Sequence, residues 1–317
     1  NSSKVGMTAA QTADFNQEFW HEDIHEGKRY GIPVQRSMTV LFYNLTWAKE
    51  LGFSSIPESP EHLQAQVCSA NRAMRLDVDL THDGIGGMLI SKDSDSMLGW
   101  LSAFGSVIHT AGEYQFDTGS TEKAYQYLLS VARDACMWER KNPQPYDYFA
   151  NRQALAITAW LQDLEGLEAA LRRNNSSDQW TVIPFPGADQ QTVITTGVSY
   201  GILHKTPAED LAAWLFIRWL SQPAQQARLL KGNPTLPISA QVMSQNGFQT
   251  ALPQWMAAVE LDEFFVSPPV TADWQVVGPV LEDAGWQLLR AETTVAQIPT
   301  LLVELDSLAK DLAERHP

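Results

Sequence analysis

The chain has 317 residues, of which 44% are hydrophobic, and carries a formal net charge of −15 at pH 7. An acidic surface repels phosphate backbones, so nucleic acid is not an expected partner. No stretch approaches eighteen consecutive apolar residues, so the sequence predicts no membrane-spanning helix, while its length allows one large domain or two smaller ones.

The first predicted element is a short amphipathic helix over residues 12–26. Phe15, Phe19 and Trp20 recur at helical spacing within it, which is the pattern of a helix with one buried face. Gly27 follows and is expected to end the helix.

Extended and helical patterns then alternate. Residues 30–44 are rich in β-branched and aromatic residues and predict a strand. Ser59 followed by proline predicts a helix start, and another helix is expected from residue 120 to about 138. Residues 179–203 read as strands separated by turns, so the interleaving favours an α/β fold.

The last third of the chain is predicted to be mainly helical. Thr206 and Glu209 have the spacing of a capping box before a strongly apolar helix that runs through Leu220 and is expected to pack between layers. Gly232 should close the following helix. From residue 274 onward the pattern is helical, with Thr294 as a cap between two helices.

Cysteine use limits the chemistry. Cys68 and Cys136 are the two cysteines of the chain, too few for a disulfide framework or a cysteine-based zinc finger. They either form one disulfide or remain as buried thiols, and the sequence leaves both possibilities open.

One string, HEDIH at residues 21–25, has the pattern of a zinc peptidase. On a helix, His21 and His25 would lie one turn apart and could bind zinc, with Glu22 as general base. Asp23 occupies a position where such helices are usually apolar, and the helix is expected to end soon afterwards. The favoured interpretation is a solvated polar face, and a zinc metallopeptidase is the first alternative function.

A second string, GVSYG at residues 197–201, matches the nucleophile elbow of a hydrolase. An elbow needs a strand, a sharp turn at the serine and an immediate helix, whereas the next helix is predicted to start near Thr206. The histidines downstream of Ser199, His204 and His316, are poorly placed for a triad. No local pattern singles out a carboxylate pair either, so a glycoside hydrolase stays a further alternative.

Ordered short motifs carry a resemblance over nearly the whole chain. The chain resembles family 1 solute-binding proteins of ABC importers, the maltose-type and glycerol-phosphate-type proteins. The motifs are GKRYGIP at 27–33, LFYN at 41–44, WAKELG at 47–52, SPEHL at 59–63, YFANRQAL at 148–155, IPFPG at 183–187, GVSYGI at 197–202 and GNPTLPI at 232–238.

The resemblance implies a type II periplasmic-binding-protein-like fold of two lobes joined by hinge strands. It places lobe 1 at residues 1–40 and 203–248, and lobe 2 at residues 41–202 and 249–317. About a hundred residues precede the Tyr-Gly-Pro segment in the family and some thirty precede it here, so we expect an N-terminally truncated chain whose lobe 1 is incomplete.

The resemblance also implies a function without catalysis, cofactor or metal. The expected ligand is a small polar solute, a sugar or oligosaccharide, captured between the lobes. The expected protein partner is the membrane permease of an ABC importer, and the expected location is extracytoplasmic, either periplasmic or as a cell-surface lipoprotein.

Site residues follow from the same resemblance. Trp160 and Trp274 fall at cleft positions, where indoles stack on sugar rings, and Ser37 falls where the glycerol-phosphate type places a serine. Arg36 is a weaker candidate, because strand alternation points it the other way. The remaining candidates are Gly197 and Ser199 on the return strand, and Asp95, Ser96 and Trp100 on a loop and helix start.

The expected ligand is uncharged. Glycerol-phosphate-type proteins carry an arginine shortly before the position of Trp274. This chain has Pro268, Pro269 and Val270 there, which favours an uncharged carbohydrate over a phosphate ester.

Overall fold

The computed structural model of the protein describes residues 5–25, 27–78, 80, 85, 87–139, 145–188, 190–245 and 253–316. Its helices are α1 (Ala9–Ala13), α2 (Gln17–Glu22), α3 (Leu45–Glu50), α4 (Pro60–Leu76), α5 (Ser94–Ala103), α6 (Gly119–Arg133), α7 (Tyr146–Ala150), α8 (Leu164–Arg173), α9 (Pro207–Leu220), α10 (Pro223–Gly232), α11 (Ala240–Met243), α12 (Pro253–Val259), α13 (Trp274–Val277), α14 (Pro279–Leu288) and α15 (Ile298–Arg315). Among the described residues, no helix combines the length and apolar character needed to cross a membrane.

The strands are short, apart from two. They are β1 (Ile24–His25), β2 (Lys28–Arg29), β3 (Ile32–Asn44), β4 (Met88–Ile90), β5 (His109–Thr110), β6 (Glu113–Tyr114), β7 (Met137–Glu139), β8 (Ala156–Trp160), β9 (Trp180–Ile183), β10 (Val193–Tyr200) and β11 (Phe265–Val266). Three 3₁₀ turns complete the described elements, at Leu161–Asp163, Asp262–Phe264 and Val295–Gln297.

The chain folds into two compact units, each built from two segments. Unit 1 comprises residues 1–38 and 195–259, and unit 2 comprises residues 39–194 and 260–317. The long strands β3 and β10 each pass from one unit to the other within their own length. The units therefore change near residues 38, 194 and 259, whereas the sequence-based ranges end at 40, 202 and 248.

A mixed sheet organises unit 2. β3 pairs antiparallel with both β8 and β9, β8 continues in parallel to β4, and β4 continues in parallel to β7. The first two residues of β10 pair in parallel with β11. Antiparallel and parallel neighbours thus meet in one sheet, and helices cover its apolar residues to form a continuous core.

The core of unit 2 surrounds α5. Every residue of this helix from Ser96 to Ala103 is buried, so the helix is enclosed on all sides within the fold. Trp100 lies at its centre, with ring centroids 5.0 Å from Phe185 and 5.7 Å from Tyr127.

Cys68 and Cys136 form a disulfide. It ties α4 to the residue just before β7, so one of the two possibilities left open by the sequence is realised. The left-handed backbone of Ala135 (φ 56°) precedes it and helps to end α6 at Arg133. The predicted helix over residues 120–138 is therefore too long, because its last residues belong to this cross-link and to β7.

The N-terminal segment forms two short helices and not the single helix that was predicted. Residues 12–26 do not form one helix, because α1 ends at Ala13 and Asn16 caps a new helix, α2, by accepting a hydrogen bond from the N–H of Glu18. Between them the backbone of Phe15 bridges Ser239 in antiparallel fashion. This long-range pairing draws the chain out of the helical path.

Several local predictions are confirmed. Ser59 caps α4 with proline in its first turn, Gly232 ends α10, and Thr294 caps the last 3₁₀ turn. Thr206 caps α9, but the reciprocal half of the predicted capping box is absent, because the carboxylate of Glu209 instead accepts a hydrogen bond from the Thr206 hydroxyl.

Helix α9 does not pack between layers as predicted. Ile217 is its one buried residue, while large apolar side chains of the same helix are 44–55% exposed, namely Leu211, Leu215, Phe216 and Trp219. Unit 1 also contains a cavity of about 710 Å³, lined in part by Trp20, Arg29, Tyr30, Tyr200 and Trp214.

The disulfide gives a stability prediction. Replacing both cysteines (Cys68→Ala with Cys136→Ala) should lower the free energy of unfolding by about 3–4 kcal/mol, because a cross-link over this many residues restricts the unfolded chain. Urea unfolding followed by tryptophan fluorescence measures the change. Reductant should shift the wild-type midpoint toward that of the variant and leave the variant unmoved. Identical midpoints for oxidised wild type and variant would contradict the prediction.

Candidate functional site

Unit 2 presents Trp160 at the end of a strand. Trp160 is the last residue of β8, lies opposite Thr39 of β3, and is half-buried. Its backbone N–H donates to the carboxylate of Asp163, 3.1 Å away, so the chain turns sharply after it. Sheet pairing on one side and this turn on the other fix the direction in which the indole leaves the strand.

Two threonine hydroxyls share the sheet face of Trp160. Thr158 precedes Trp160 by two residues, and Thr39 lies directly across from it, so all three side chains leave the same face of the sheet. Both hydroxyls are buried without a hydrogen-bond partner in the described part of the chain. Buried hydroxyls normally have hydrogen-bond partners. The two threonine hydroxyls on this face therefore have unused hydrogen-bonding capacity within the described part of the chain.

Trp274 begins α13 and is also half-buried. The ring of Tyr114 stacks beside it, with ring centroids 6.2 Å apart and planes inclined by 19°. A side-chain carbon at Gly278 would lie 3.2 Å from the indole, so Trp274 packs directly over the backbone at that glycine. The indole is therefore held between an aromatic ring and a bare backbone segment.

The hydroxyl of Tyr114 is tied to the residues before Trp274. It lies 2.7 Å from the Thr271 hydroxyl and donates to the Asp273 carboxylate at 3.0 Å. Burial, together with the nearby Asp273 charge, raises the pKa of Tyr114 to about 12. Tyr114 was absent from the candidates because its partners lie more than 150 residues away. The turn signal Ala111-Gly112 between two short extended runs was the one local cue.

The two predicted site residues at the start of α5, Asp95 and Ser96, differ in how far they are buried. Asp93 caps the helix, accepting hydrogen bonds from both the N–H and the hydroxyl of Ser96. Ser96 is buried by this role. Asp95 is half-buried, and burial, followed by the nearby Asp93 charge, raises the pKa of its carboxyl to about 7. Of the two, Asp95 is the better placed to meet a ligand.

Trp100 does not reach a surface. Its side chain is 0% exposed within the core described above, and its indole N–H has no partner among the described residues. The family resemblance predicted that Trp100 lies on a cleft-facing loop and helix start. In the structure Trp100 lies in the middle of α5, on a side that faces the protein interior. Its position therefore gives no support to a ligand contact.

In unit 1, Arg36 is a structural cation. It is 2% exposed, and its Nε donates to the Glu22 carboxylate at 2.8 Å. Its other nitrogens donate to the Val198 carbonyl at 2.8 Å and to the Ser199 hydroxyl at 3.1 Å. Arg36 thus binds β10 and α2 to β3, and Ser199 is engaged as its acceptor.

Gly197 lies where two strands approach closely. A side-chain carbon at this position would lie 2.1 Å from the Gln35 carbonyl and 3.0 Å from the Arg36 Cα. The glycine itself is exposed on its other side, and Ser37 on β3 is half-buried. Gly197 and Ser37, which the sequence predicts as ligand contacts, are thus at least partly accessible to solvent. Their contact with a ligand stays a prediction.

The zinc-peptidase string lacks its required helix. Glu22 is the last residue of α2, and Ile24 already belongs to β1, so His21 and His25 do not lie on one helix face. The side chain of His25 lies outside the described residues. Glu22 is ion-paired with Arg36 rather than poised as a base. Within the described chain, no group of three potential metal ligands occurs.

The hydrolase string also lacks its context. Residues 197–200 lie inside β10, which runs without a turn to Tyr200, and the next helix begins at Pro207. A nucleophile elbow requires strand, turn and helix in immediate succession. Ser199 is therefore not presented as a nucleophile.

Comparisons with known proteins agree with this non-catalytic geometry. Residues 7–258 match the model of the bacterial extracellular solute-binding protein family. No curated protein sequence matches the chain.

Solved structures share the fold at low sequence identity. A cyclic alpha-maltosyl-1,6-maltose binding protein from Arthrobacter globiformis has a TM-score of 0.78 at 18% identity, covering 96% of this chain and 78% of its own. The sugar-binding protein MalE from Xanthomonas citri gives 0.79 at 16%, with 96% and 75% covered. UgpB from Mycobacterium tuberculosis, solved with glycerophosphocholine, gives 0.76 at 15%, with 96% and 76% covered. The predicted α/β periplasmic-binding-protein fold is confirmed.

The close approach at Gly197 predicts a steric effect. Gly197→Ala should lower the free energy of unfolding by about 1–3 kcal/mol, because the added methyl group would force β10 away from β3. Chemical unfolding measures the loss. Gly119→Ala is the matched control, since a carbon added there meets open space. Equal stability of the two variants would refute the close packing.

The raised pKa of Asp95 predicts a pH effect. Between about pH 4 and pH 7 the folded protein retains a proton that the unfolded chain has released, so this carboxyl lowers stability progressively as pH rises through that window. Asp95→Asn should therefore lie closest to wild type near pH 4 and gain on it progressively, so that by pH 8 its advantage has grown by more than about 1 kcal/mol. Thermal unfolding across pH measures this. Asp283→Asn, at an exposed position of α14, should show no such divergence.

Proposed function

The chain belongs to the bacterial extracellular solute-binding protein family, which is non-enzymatic, and from this premise we propose that it reversibly captures an uncharged carbohydrate for an ABC importer. The observation that carries the proposal is the half-buried indole of Trp274, held beside Tyr114 and over Gly278. A flat, partly open aromatic surface of this kind stacks on the apolar face of a sugar ring.

Polar groups of unit 2 suit sugar hydroxyls. Asp95 and Asp273 supply carboxylate oxygens, which accept hydrogen bonds from hydroxyl groups. Thr39 and Thr158 add hydroxyls beside Trp160. Stacking surfaces combined with a few polar groups form the usual lining of a small-ligand site.

Charge disfavours an anionic ligand. The Asp273 carboxylate would repel a phosphate, and residues 268–270 are Pro-Pro-Val, without a cation. Lys92, a buried cation of unit 2, is engaged by the Glu139 carboxylate and lies over the ring of Trp286. The Arg36 charge of unit 1 is balanced by Glu22.

The two units correspond, in this proposal, to the two lobes of a binding protein. The candidate contacts of unit 1 are Ser37 and Gly197, and those of unit 2 are Trp160, Trp274 and Asp95. The strands β3 and β10, along which the chain passes from one unit to the other, are the candidate hinge strands.

Delivery would follow capture. The ligand-loaded protein would dock on a membrane permease, and the protein would work outside the cytoplasm. The Cys68–Cys136 disulfide supports that location, because such bonds persist in oxidising compartments. The Arthrobacter protein binds cyclic alpha-maltosyl-1,6-maltose and the Xanthomonas protein is a sugar-binding protein, which supports the ligand class.

A panel of solutes tests the proposal. Maltose, maltotriose, cyclic alpha-maltosyl-1,6-maltose, tagatose and glycerophosphocholine are added to the protein in thermal-shift and calorimetric titrations. A bound sugar at a hundredfold excess over its Kd should stabilise the protein by about 2.7 kcal/mol. A shift with glycerophosphocholine alone would refute the uncharged ligand, and the absence of any shift with the four sugars would refute the carbohydrate class.

Tryptophan variants locate the site. Trp160→Ala and Trp274→Ala should each weaken binding of the responding sugar by at least about tenfold, because each removes a stacking surface. Trp219→Ala is the control, since this indole is 45% exposed on α9 of unit 1 and is not one of the proposed contacts. Calorimetric titration gives the three Kd values. Unchanged affinity in both site variants would contradict the proposed location.

A further inference from the structure

The hairpin formed by β5 and β6 reaches the start of α13 through the side chain of Tyr114. We propose that Tyr114 is a positioning residue, whose hydroxyl fixes the segment before Trp274 and whose ring sets the angle of the Trp274 indole for ligand stacking. This inference rests on the proposed function for the ligand, but its geometric part is independent of any ligand.

The start of α13 needs an external support. This helix has four residues, and its capping residue, Asp273, makes no side-chain hydrogen bond to the helix backbone. Short helices without caps are marginal. The Asp273 carboxylate instead accepts a hydrogen bond from the Tyr114 hydroxyl, and the hydroxyl of Thr271 is hydrogen-bonded to the same phenolic oxygen of Tyr114. Tyr114 therefore holds two residues that immediately precede Trp274.

The ring of Tyr114 constrains the indole itself. The two rings are nearly parallel, with planes 19° apart. Gly278 limits movement of the indole at another side, because a carbon there would already lie 3.2 Å from Cε2 and 3.3 Å from Cζ2. The carbonyl of Gly278 is in turn held by the Ser94 hydroxyl at 2.8 Å. The indole thus occupies one orientation between two fixed supports.

Tyr114 can act as a support because its hairpin is anchored. Left-handed backbone at Ala111 (φ 55°) and Gly112 (φ 85°) makes the tight turn between β5 and β6. Beyond it, Phe116 is fully buried, and its N–H donates to the Asp306 carboxylate of α15. The position of Tyr114 is therefore fixed by the core of unit 2 through the neighbouring Phe116.

The consequence concerns affinity more than stability. A stacking surface held in one orientation loses little freedom when a ligand binds, and preorganisation of this kind improves affinity. Releasing the hydroxyl should let Trp274 sample several angles. Binding should weaken although every atom of the stacking surface is still present.

The first test separates positioning from general destabilisation. Tyr114→Phe keeps the ring and removes the two hydroxyl interactions, so it should weaken maltotriose binding by about tenfold. Tyr127→Phe is the matched control, because its hydroxyl makes a partly buried hydrogen bond in unit 2, to the Pro60 carbonyl. It should cost comparable stability and leave the Kd unchanged. Thr271→Ser, which keeps a hydroxyl, should retain affinity, whereas Thr271→Val should not.

The second test needs no ligand. Tryptophan is replaced by 5-fluorotryptophan, and the ¹⁹F resonance of Trp274 is assigned by its loss in Trp274→Phe. In Tyr114→Phe that resonance should shift or broaden, while it should stay in place in Tyr127→Phe. Failure of maltotriose to bind the wild type would count against the proposed function. The ¹⁹F measurement, which needs no ligand, would still decide whether Tyr114 positions Trp274.

Two results would overturn the inference. One is a Trp274 resonance that is identical in wild type and Tyr114→Phe. The other is an equal loss of affinity in Tyr114→Phe and Tyr127→Phe, which would reduce the role of Tyr114 to general stability. If Tyr114→Phe weakens binding with an unmoved Trp274 resonance, Tyr114 touches the ligand itself and the positioning role is refuted.

Discussion

The antiparallel pairing of β3 with β8 and β9 is the interaction on which the other features depend. It fixes Trp160 opposite Thr39 at one end of the sheet. At the other end it places Asn44, whose side chain caps α3. The same strand carries Arg36 into unit 1, where the buried guanidinium joins α2 and β10 to it. One continuous backbone thus sets the position of side chains in both units.

The parts of the fold that could be predicted from sequence are those decided within a few residues. Ser59 and Thr206 mark helix starts because a hydroxyl satisfies a nearby N–H, and each of them does so. Thr294 also stands at a helix start, but its backbone N–H and its hydroxyl both donate to the side chain of Gln297. The errors arise where distant residues decide. The Phe15–Ser239 bridge splits the first predicted helix, and the Cys136 cross-link lies where α6 was expected to continue.

The candidate site shows the same division. The family resemblance pointed to Trp160 and Trp274, and both indoles are partly open at the ends of elements. It also pointed to Trp100, which the helical path of α5 carries into the core, since adjacent positions on a helix face different directions. Tyr114 escaped notice because a hydrogen bond between residues 159 positions apart leaves no local pattern.

The passage of β3 and β10 through both units has a consequence for how the molecule can be altered genetically. Neither unit is encoded by one continuous stretch, since each consists of two segments. A truncation at residue 259 would remove β11, the helices α13, α14 and α15 and two 3₁₀ turns of unit 2 while leaving unit 1 whole. The chain changes unit near residues 38, 194 and 259, so separating the units means cutting at three places. Two of these lie inside strands β3 and β10, where a one-residue error would turn every following side chain to the opposite face.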